Sequence, residues 1–209
     1  MSLLTNLFEA LSDFGASTSS EKSDRSPKLE PTLKNIVHVI YQQTTERSGP
    51  WIAGGMGRQI AIGESNFNDI DVWFKDRQQH DELANKLHDT FGYEMYEKFA
   101  SDNATTFRVG DFTVQLIKRK WYPSLEAVFA DFDFTCCQVA VNDDLTAYGP
   151  GLKDAADKIL KLNRFDERAF LARYAKYVGY GYAMDPDEFI QIIENNTMNY
   201  EFDGTTLGY

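Results

Sequence analysis

Cysteine is nearly absent: the 209 residues contain two, Cys136 and Cys137, adjacent within one apolar run. Neighbouring side chains on a strand point to opposite faces and no third cysteine exists, so a disulfide framework and a cysteine-built zinc centre are both excluded. The pair reads as buried, unreactive thiols. Histidine is as scarce, and His38, His80 and His88 have no further ligands at metal-binding spacing, with His80 and His88 in largely polar surroundings. No apolar run approaches the roughly 20 residues that cross a bilayer. No positively charged leader precedes an apolar region, so the expectation is a soluble cytoplasmic protein with no membrane partner. Basic residues are outnumbered, 21 against 32 acidic ones, for a formal net charge of −11. That balance excludes a general nucleic-acid coat and leaves room for a local basic groove that takes a nucleotide or a specific RNA.

What is present is apolar content sufficient for a core, with 43% hydrophobic and 14% aromatic residues. Residues 1–30 begin with Leu4, Leu7, Phe8 and Leu11 at helical spacing, a short helix suited to docking on the parent domain or a protein partner. A Ser-, Pro- and charge-rich linker follows to Pro31. Residues 31–150 read as the main domain. Its first helix, Pro31 to Gln43, turns Leu33, Ile36, Val37 and Ile40 inward, and a strand at 51–53 leads to a helix at 56–62. Asp76 caps a later helix, with Gln79 completing a capping box and Leu83, Ala84 and Leu87 inward. Strands are expected at 92–99, 104–109, 112–118 and 132–141, with a short helix at 124–130. Gly149-Pro150-Gly151 punctuates the chain, and residues 151–209 read as a helical extension and tail. Helices are expected there at 152–160, at 166–179 and from Pro186, with Asp185 as the last cap.

The chemistry concentrates between Trp51 and Lys75, WIAGGMGRQIAIGESNFNDIDVWFK. On a strand led by Asp69 and Asp71, Ile70, Val72 and Phe74 face a core behind while both carboxylates project in front. Mg²⁺ is normally held by one or two protein carboxylates together with substrate phosphates. Gly54 and Gly55 offer unobstructed backbone at a helix start, which favours phosphate, and Arg58 follows early in that helix. Lys118, Arg119 and Lys120 lead into Trp121 and Tyr122, a charged and aromatic patch for the phosphates and base of a nucleic-acid end. Asn163 and Arg164 are candidates for an outer wall.

Ala53-Gly54-Gly55, the short helix and Asp69-Ile70-Asp71 on the next strand resemble the pattern of the nucleotidyltransferase superfamily, the group that includes DNA polymerase beta, poly(A) polymerases and CCA-adding enzymes. Arg58 resembles the arginine after Gly-Gly in the CCA-adding branch. The resemblance covers about residues 31–141, and the helices beyond resemble the extensions that follow such catalytic heads in phage or bacterial homologues. It implies an α+β fold, a small mixed sheet flanked by helices with a C-terminal helical extension. It also implies transfer of a nucleoside monophosphate from a nucleoside triphosphate such as ATP to an RNA or other hydroxyl acceptor, with release of pyrophosphate. Mg²⁺ or Mn²⁺ would sit on Asp69, Asp71 and a third carboxylate, and Gly54, Gly55, Arg58 and Lys118 would bind the nucleotide. One departure stands out: the strand match for that third carboxylate is Val114-Gln115-Leu116, an amide that cannot serve as a general base. Asp133 from a neighbouring strand is the first candidate to supply the charge. Asp111 from the preceding turn is another, and a single tightly held cation is the third solution. The alternative reading is a catalytically weakened binding or regulatory module in a phage or toxin–antitoxin setting. A homodimer through the tyrosine-rich C-terminal helices is also open.

Overall fold

A computed structural model describes residues 29–42, 48–64 and 69–197. The helix expected at the N-terminus, the linker up to residue 28 and the tail beyond residue 197 lie outside the described residues. Contacts divide the described chain into two compact units, one reaching Arg164 and one beginning at Phe165.

The larger unit opens with α1 (Leu29–Tyr41), β1 (Trp51–Ala53), α2 (Gly55–Ala61) and β2 (Asp69–Trp73). Helix α3 (Arg77–Phe91) leads into β3 (Met95–Ala100), β4 (Ala104–Val109) and β5 (Phe112–Ile117). Then come α4 (Leu125–Ala130), two short strands, β6 (Ala140–Val141) and β7 (Ala147–Tyr148), and α5 (Leu152–Ala156). The strands form one mixed sheet of seven in the order β3-β4-β5-β2-β1-β6-β7. β2 and β5 run parallel, and the other neighbours are antiparallel. This is the α+β architecture, a mixed sheet with flanking helices and a C-terminal helical extension, that the sequence led us to expect.

Alternation along β2 decides how the sheet is buried. Ile70 and Val72 point to one face, where they meet Leu33, Ile36, Val37 and Ile40 of α1 and Leu83 and Leu87 of α3. Trp73 points to the other face and packs with Trp51, Tyr122, Val128 and Phe129. Burying a side chain of this size contributes about 1.5–3 kcal/mol, so each face anchors β2 independently. The Tyr41 hydroxyl ties α1 to the sheet by donating to the Val141 carbonyl and accepting the Ile52 N–H at 3.0 Å.

Several local expectations need correction. Residues 132–141 are not one strand: Phe134 makes a single bridge to Leu162, Thr135–Cys137 is a 3₁₀ turn and only Ala140–Val141 joins the sheet. Asp133, Thr135 and Gln138 interrupt the apolar residues of this run, and loops satisfy much of its backbone instead of a ladder. Gly54 N–H donates to Val139 O at 2.8 Å, Gly151 N–H to Gln138 O at 3.0 Å, and Thr135 N–H to Lys161 O at 3.0 Å. Asp76 caps α3 by accepting the Gln79 N–H at 2.9 Å. The return bond of the capping box differs, because Gln79 Oε1 accepts from Lys75 N–H while its Nε2 donates to Ser48 O. His80 is more buried than expected, between the rings of Phe74 and Trp121, and its Nδ1 lies 2.8 Å from the Asp81 carboxylate. It shares the inward face of α3 with Leu83, Leu87 and Phe91. Helix α5 is shorter than expected and is followed by Lys158 at a left-handed φ of 56°.

In the second unit, α6 (Phe170–Gly179) and α7 (Pro186–Thr197) pack through aromatic rings. Tyr174 lies 4.7 Å from Phe189 and Phe170 lies 6.0 Å from it, centroid to centroid. Asp185 caps α7 as expected, its Oδ1 accepting from Asp187 and Glu188 N–H. Helix α6 starts four residues later than expected, because residues 166–169 form a turn closed on the Asp166 carbonyl.

Candidate functional site

Asp69 and Asp71 stand on the face of β2 opposite Ile70 and Val72, Asp69 exposed and Asp71 half-buried. The register then dictates their neighbours. Parallel pairing sets Asp69 beside Thr113 and Asp71 beside Gln115, and β4 extends these rows with Arg108 and Thr106. Paired residues project to the same face, so the Gln115 amide occupies the strand position adjoining Asp71. Asp111 stays in the β4–β5 turn, 3.8 Å from the Arg108 guanidinium.

The wall beside Asp71 comes from the glycine segment. Gly54 has φ +107°, a conformation open to glycine, and a Cβ there would sit 3.5 Å from Phe132 Cζ and 3.9 Å from Asp71 Oδ2. Gly54 thus lets the chain turn tightly next to the carboxylate. Its amide is engaged with Val139, so phosphate contact through that N–H, expected from the sequence, is not what this glycine offers. A Cβ at Gly55 would meet nothing within 4 Å, whereas at Gly57 it would lie 2.5 Å from the Val139 carbonyl. Gly57 is therefore the close-approach glycine of α2. Its signal was the Gly54-Gly55-x-Gly57 spacing, from which sequence reasoning used only the first two.

Arg58 falls in the last turn of α2 and is buried at 6% exposure, its positive charge felt at Cys136. Cys136 and Cys137 are both buried with sulfurs 4.0 Å apart. Their mutual hydrogen bond and burial push the Cys136 thiol far up, which keeps it inert. Asp133 is buried in the loop after α4 and does not enter a strand as Asp69 does. Its carbonyl accepts the Asn163 and Arg164 N–H groups at 2.7 and 3.1 Å. Asn163 is structural: its amide donates to the carbonyls of Phe129 and Phe132 and accepts from Gln138. Lys118 lies three residues past Gln115 and lines a separate cleft of about 350 Å³ with Arg77, His80, Asp81, Asp102 and Trp121.

Sequence reasoning missed Asp131. Its carboxylate accepts the Tyr122 hydroxyl at 2.6 Å and pairs with Arg119 at 3.0 Å, Arg164 at 3.2 Å and Lys120 at 3.4 Å. Burial raises its pKa, but the Tyr122 bond and the three cations outweigh that and hold it below the ordinary 3.8. Arg119 also lies over the Trp73 ring, 5.5 Å from its centroid, and Trp73 meets Phe132 edge-on at 5.4 Å. The only advance signal was the opposite charge of two segments far apart in the chain.

Among the described residues, no three or more His, Cys, Asp or Glu side chains gather where they could hold a metal ion. The donors that the sheet does assemble are two carboxylates and one amide. That set fits a single divalent cation whose remaining oxygens come from a ligand's phosphates, and does not fit a pair of cations bridged by three carboxylates. Likewise, no described helix is long and apolar enough to cross a membrane.

Comparison with solved structures places this fold among nucleotidyltransferases. A tRNA-processing enzyme in its apo form superposes with a TM-score of 0.61 at 18% identity, covering 85% of this chain and 49% of that one. The Bacillus stearothermophilus CCA-adding enzyme in complex with CTP gives 0.59 at 16% identity over 83% of this chain and 45% of its own. The Thermotoga maritima CCA-adding enzyme complexed with tRNA gives 0.59 at 12%, over 83% and 43%. In sequence, Gabija anti-defense 2 of Bacillus phage SPbetaL7 is 27% identical over 158 residues, 72% of this chain and 38% of that protein. The chain thus spans under two-fifths of that relative's length and about half of the enzymes it superposes on. The model of the Gabija anti-defense 2 family matches residues 28–150, more than half of the sequence, and this nucleotidyltransferase-fold chain belongs to that family.

Proposed function

We propose that the chain is a nucleotide-binding module of nucleotidyltransferase fold that counters Gabija defence inside the infected cell, with nucleotidyl transfer weakened by Gln115. The observation that carries this reading is the β2–β5 register, which sets an amide beside Asp71 where a third carboxylate would complete the charge. Asp69 and Asp71 would hold one Mg²⁺ or Mn²⁺ against the phosphates of a nucleoside triphosphate. When bound, that cation neutralises negative charge on the phosphates. The turn at Gly54 passes close to the Asp71 carboxylate and to Phe132, leaving no side chain between backbone and carboxylate at that point. Gln115 orients a ligand oxygen through its amide and takes no proton. The family membership and the phage relative support the counter-defence setting, and the fold supports the nucleotide.

Two measurements on one set of proteins test it: nucleotide binding with Mg²⁺ or Mn²⁺, and transfer of label from each α-³²P ribonucleoside triphosphate to cellular RNA and protein. Binding that weakens in the Asp69→Ala, Asp71→Ala variant, with transfer near background, is the expected result. Phage plating should rise on Gabija-bearing cells that express the chain and fall back with the variant. Efficient labelling of one acceptor, lost in the variant, would replace this reading with that of a full transferase. Absence of nucleotide binding would overturn both.

A further inference from the structure

The charged and aromatic patch read from the sequence at residues 118–122 is divided by the fold. Tyr122 is fully buried in the cluster of Trp51 and Trp73, and Arg119 and Lys120 pair with Asp131. Trp121 packs instead against the cluster on the opposite face of the sheet and, with Lys118, lines the cleft of about 350 Å³ at the start of α3. Neither Asp69 nor Asp71 lines that cleft. Its floor is fixed by His80, which is 7% exposed and held from one side: its Nδ1 lies 2.8 Å from the Asp81 carboxylate, which also accepts from Arg77 Nε at 3.3 Å. The His80 bond first, and then Arg77, hold Asp81 below its ordinary 3.8, so an ionised carboxylate faces Nδ1 and the proton between them belongs to the ring. In the neutral ring Nε2 is then an acceptor, and it is buried with no hydrogen-bond partner among the described residues. Native folds keep few such atoms, because an unmatched buried acceptor is destabilising. Lys118 and Asp102 also line the cleft and form no ion pair among the described residues.

We propose that this cleft binds a single unpaired nucleobase carrying an amino group, with its ribose and phosphate at the mouth. The base stacks on Trp121, which shifts from its edge-on contact with the His80 ring, 6.0 Å between centroids, and so uncovers Nε2 to accept from the amino group. Lys118 meets the phosphate through a charge-assisted bond, and the Asp102 carboxylate suits ribose hydroxyls. The volume lies at the small end for ligand pockets and fits one nucleoside rather than a stacked run. Arg77 and Lys118 balance Asp81 and Asp102 in the lining, so a bare phosphate finds no surplus of positive charge there and the base supplies the recognition. A free nucleotide and the end of a single strand present the same base. This site is independent of any nucleotide held at Asp69 and Asp71.

Trp121 is the one tryptophan of three that is not buried, so its fluorescence reports on the cleft. AMP, GMP, CMP and UMP are titrated into the full chain with EDTA, which keeps the carboxylates free of metal, and single-stranded RNA and DNA ten-mers are titrated alongside. Quenching by at least one of the first three is expected, with the signal lost in Trp121→Phe and UMP about fivefold weaker or more, since uracil has no amino group. Lys118→Ala and Asp102→Asn, in proteins that keep their melting temperature, should each weaken binding about threefold or more. His80→Phe keeps a ring between Phe74 and Trp121 but removes Nε2, and is expected to erase the margin over UMP. The Asp69→Ala, Asp71→Ala variant should quench as wild type does; loss of quenching there would place the base at the carboxylates and overturn the proposal. No quenching by any monomer or ten-mer would also overturn it, as would UMP binding as tightly as the best of the others, or Lys118→Ala and Asp102→Asn both binding like wild type. Tighter quenching by a ten-mer than by monomers assigns the base to a strand, and the reverse assigns it to a free nucleotide.

Discussion

Gly54, Gly55 and Gly57 lie within four residues of one another and answer to different constraints. At Gly54, with φ +107°, an alanine is expected to cost about 1–3 kcal/mol in backbone strain. At Gly57 the added Cβ would press on a backbone carbonyl 2.5 Å away, which cannot rotate aside, so a loss of about 2 kcal/mol or more is expected. Gly55 opens on empty space, and Gly55→Ala should change stability by no more than about 0.5 kcal/mol. Urea melts of the three variants check the order. Tyr122 supplies a second expectation at this scale. Burial, and then the bond to Asp131, pushes its hydroxyl from 10.0 up to about 12. The folded chain keeps this proton where the unfolded chain gives it up, so the stability it confers is complete below pH 10.0 and lost as pH rises towards about 12. Asp131 runs in the opposite sense: its contribution stands above its ordinary 3.8 and is lost as pH falls through its lowered value. Denaturation on either side of pH 10.0 should show a steeper decline for wild type than for Tyr122→Phe. The sequence made the shared face of Asp69 and Asp71 legible because strand alternation is local. Asp131 was not, since its partners Arg119 and Arg164 come from segments that only the fold brings together.

Elements with a clear period were read nearly in full. Leu33, Ile36, Val37 and Ile40 marked α1, and strict alternation marked β2 and β5. The run at 132–141 was misread because its opening, Phe132-Asp133-Phe134-Thr135, alternates like a strand, while the glycines packed against it lie elsewhere in the chain. A Cβ at Gly149 would meet the Gln138 carbonyl at 2.4 Å, and one at Gly151 the Thr135 carbonyl at 2.1 Å. The loss of that strand matters for the site, as Asp133 then enters on a loop rather than beside β2. The sequence marked Gln115 as the strand match for a third carboxylate, and the parallel β2–β5 ladder sets it next to Asp71. Gln115→Asp therefore sets a carboxylate beside Asp71 without altering the strand. Tighter Mn²⁺ binding than wild type, read by paramagnetic relaxation, is the expected outcome, together with a rise in nucleotidyl transfer.

At the scale of the whole molecule, the unit reaching Arg164 contains two hydrophobic clusters, one on each face of the sheet. A fragment of residues 18–164 should fold by itself, with a cooperative thermal transition in circular dichroism. Size and apolar content made a core of this kind legible from composition, whereas the division at Arg164 followed packing of residues 151–164 that no local pattern announced. The sheet order has one more consequence. β2 is the fourth strand of seven, laddered to β1 on one side and β5 on the other. Fraying at either edge leaves its amides protected, so the N–H groups of Ile70 and Val72 should exchange with deuterium only when the entire sheet opens. The chain cannot shed its two carboxylates by local breathing: a host protease or a destabilising mutation that disarms them must first unfold the domain that carries them.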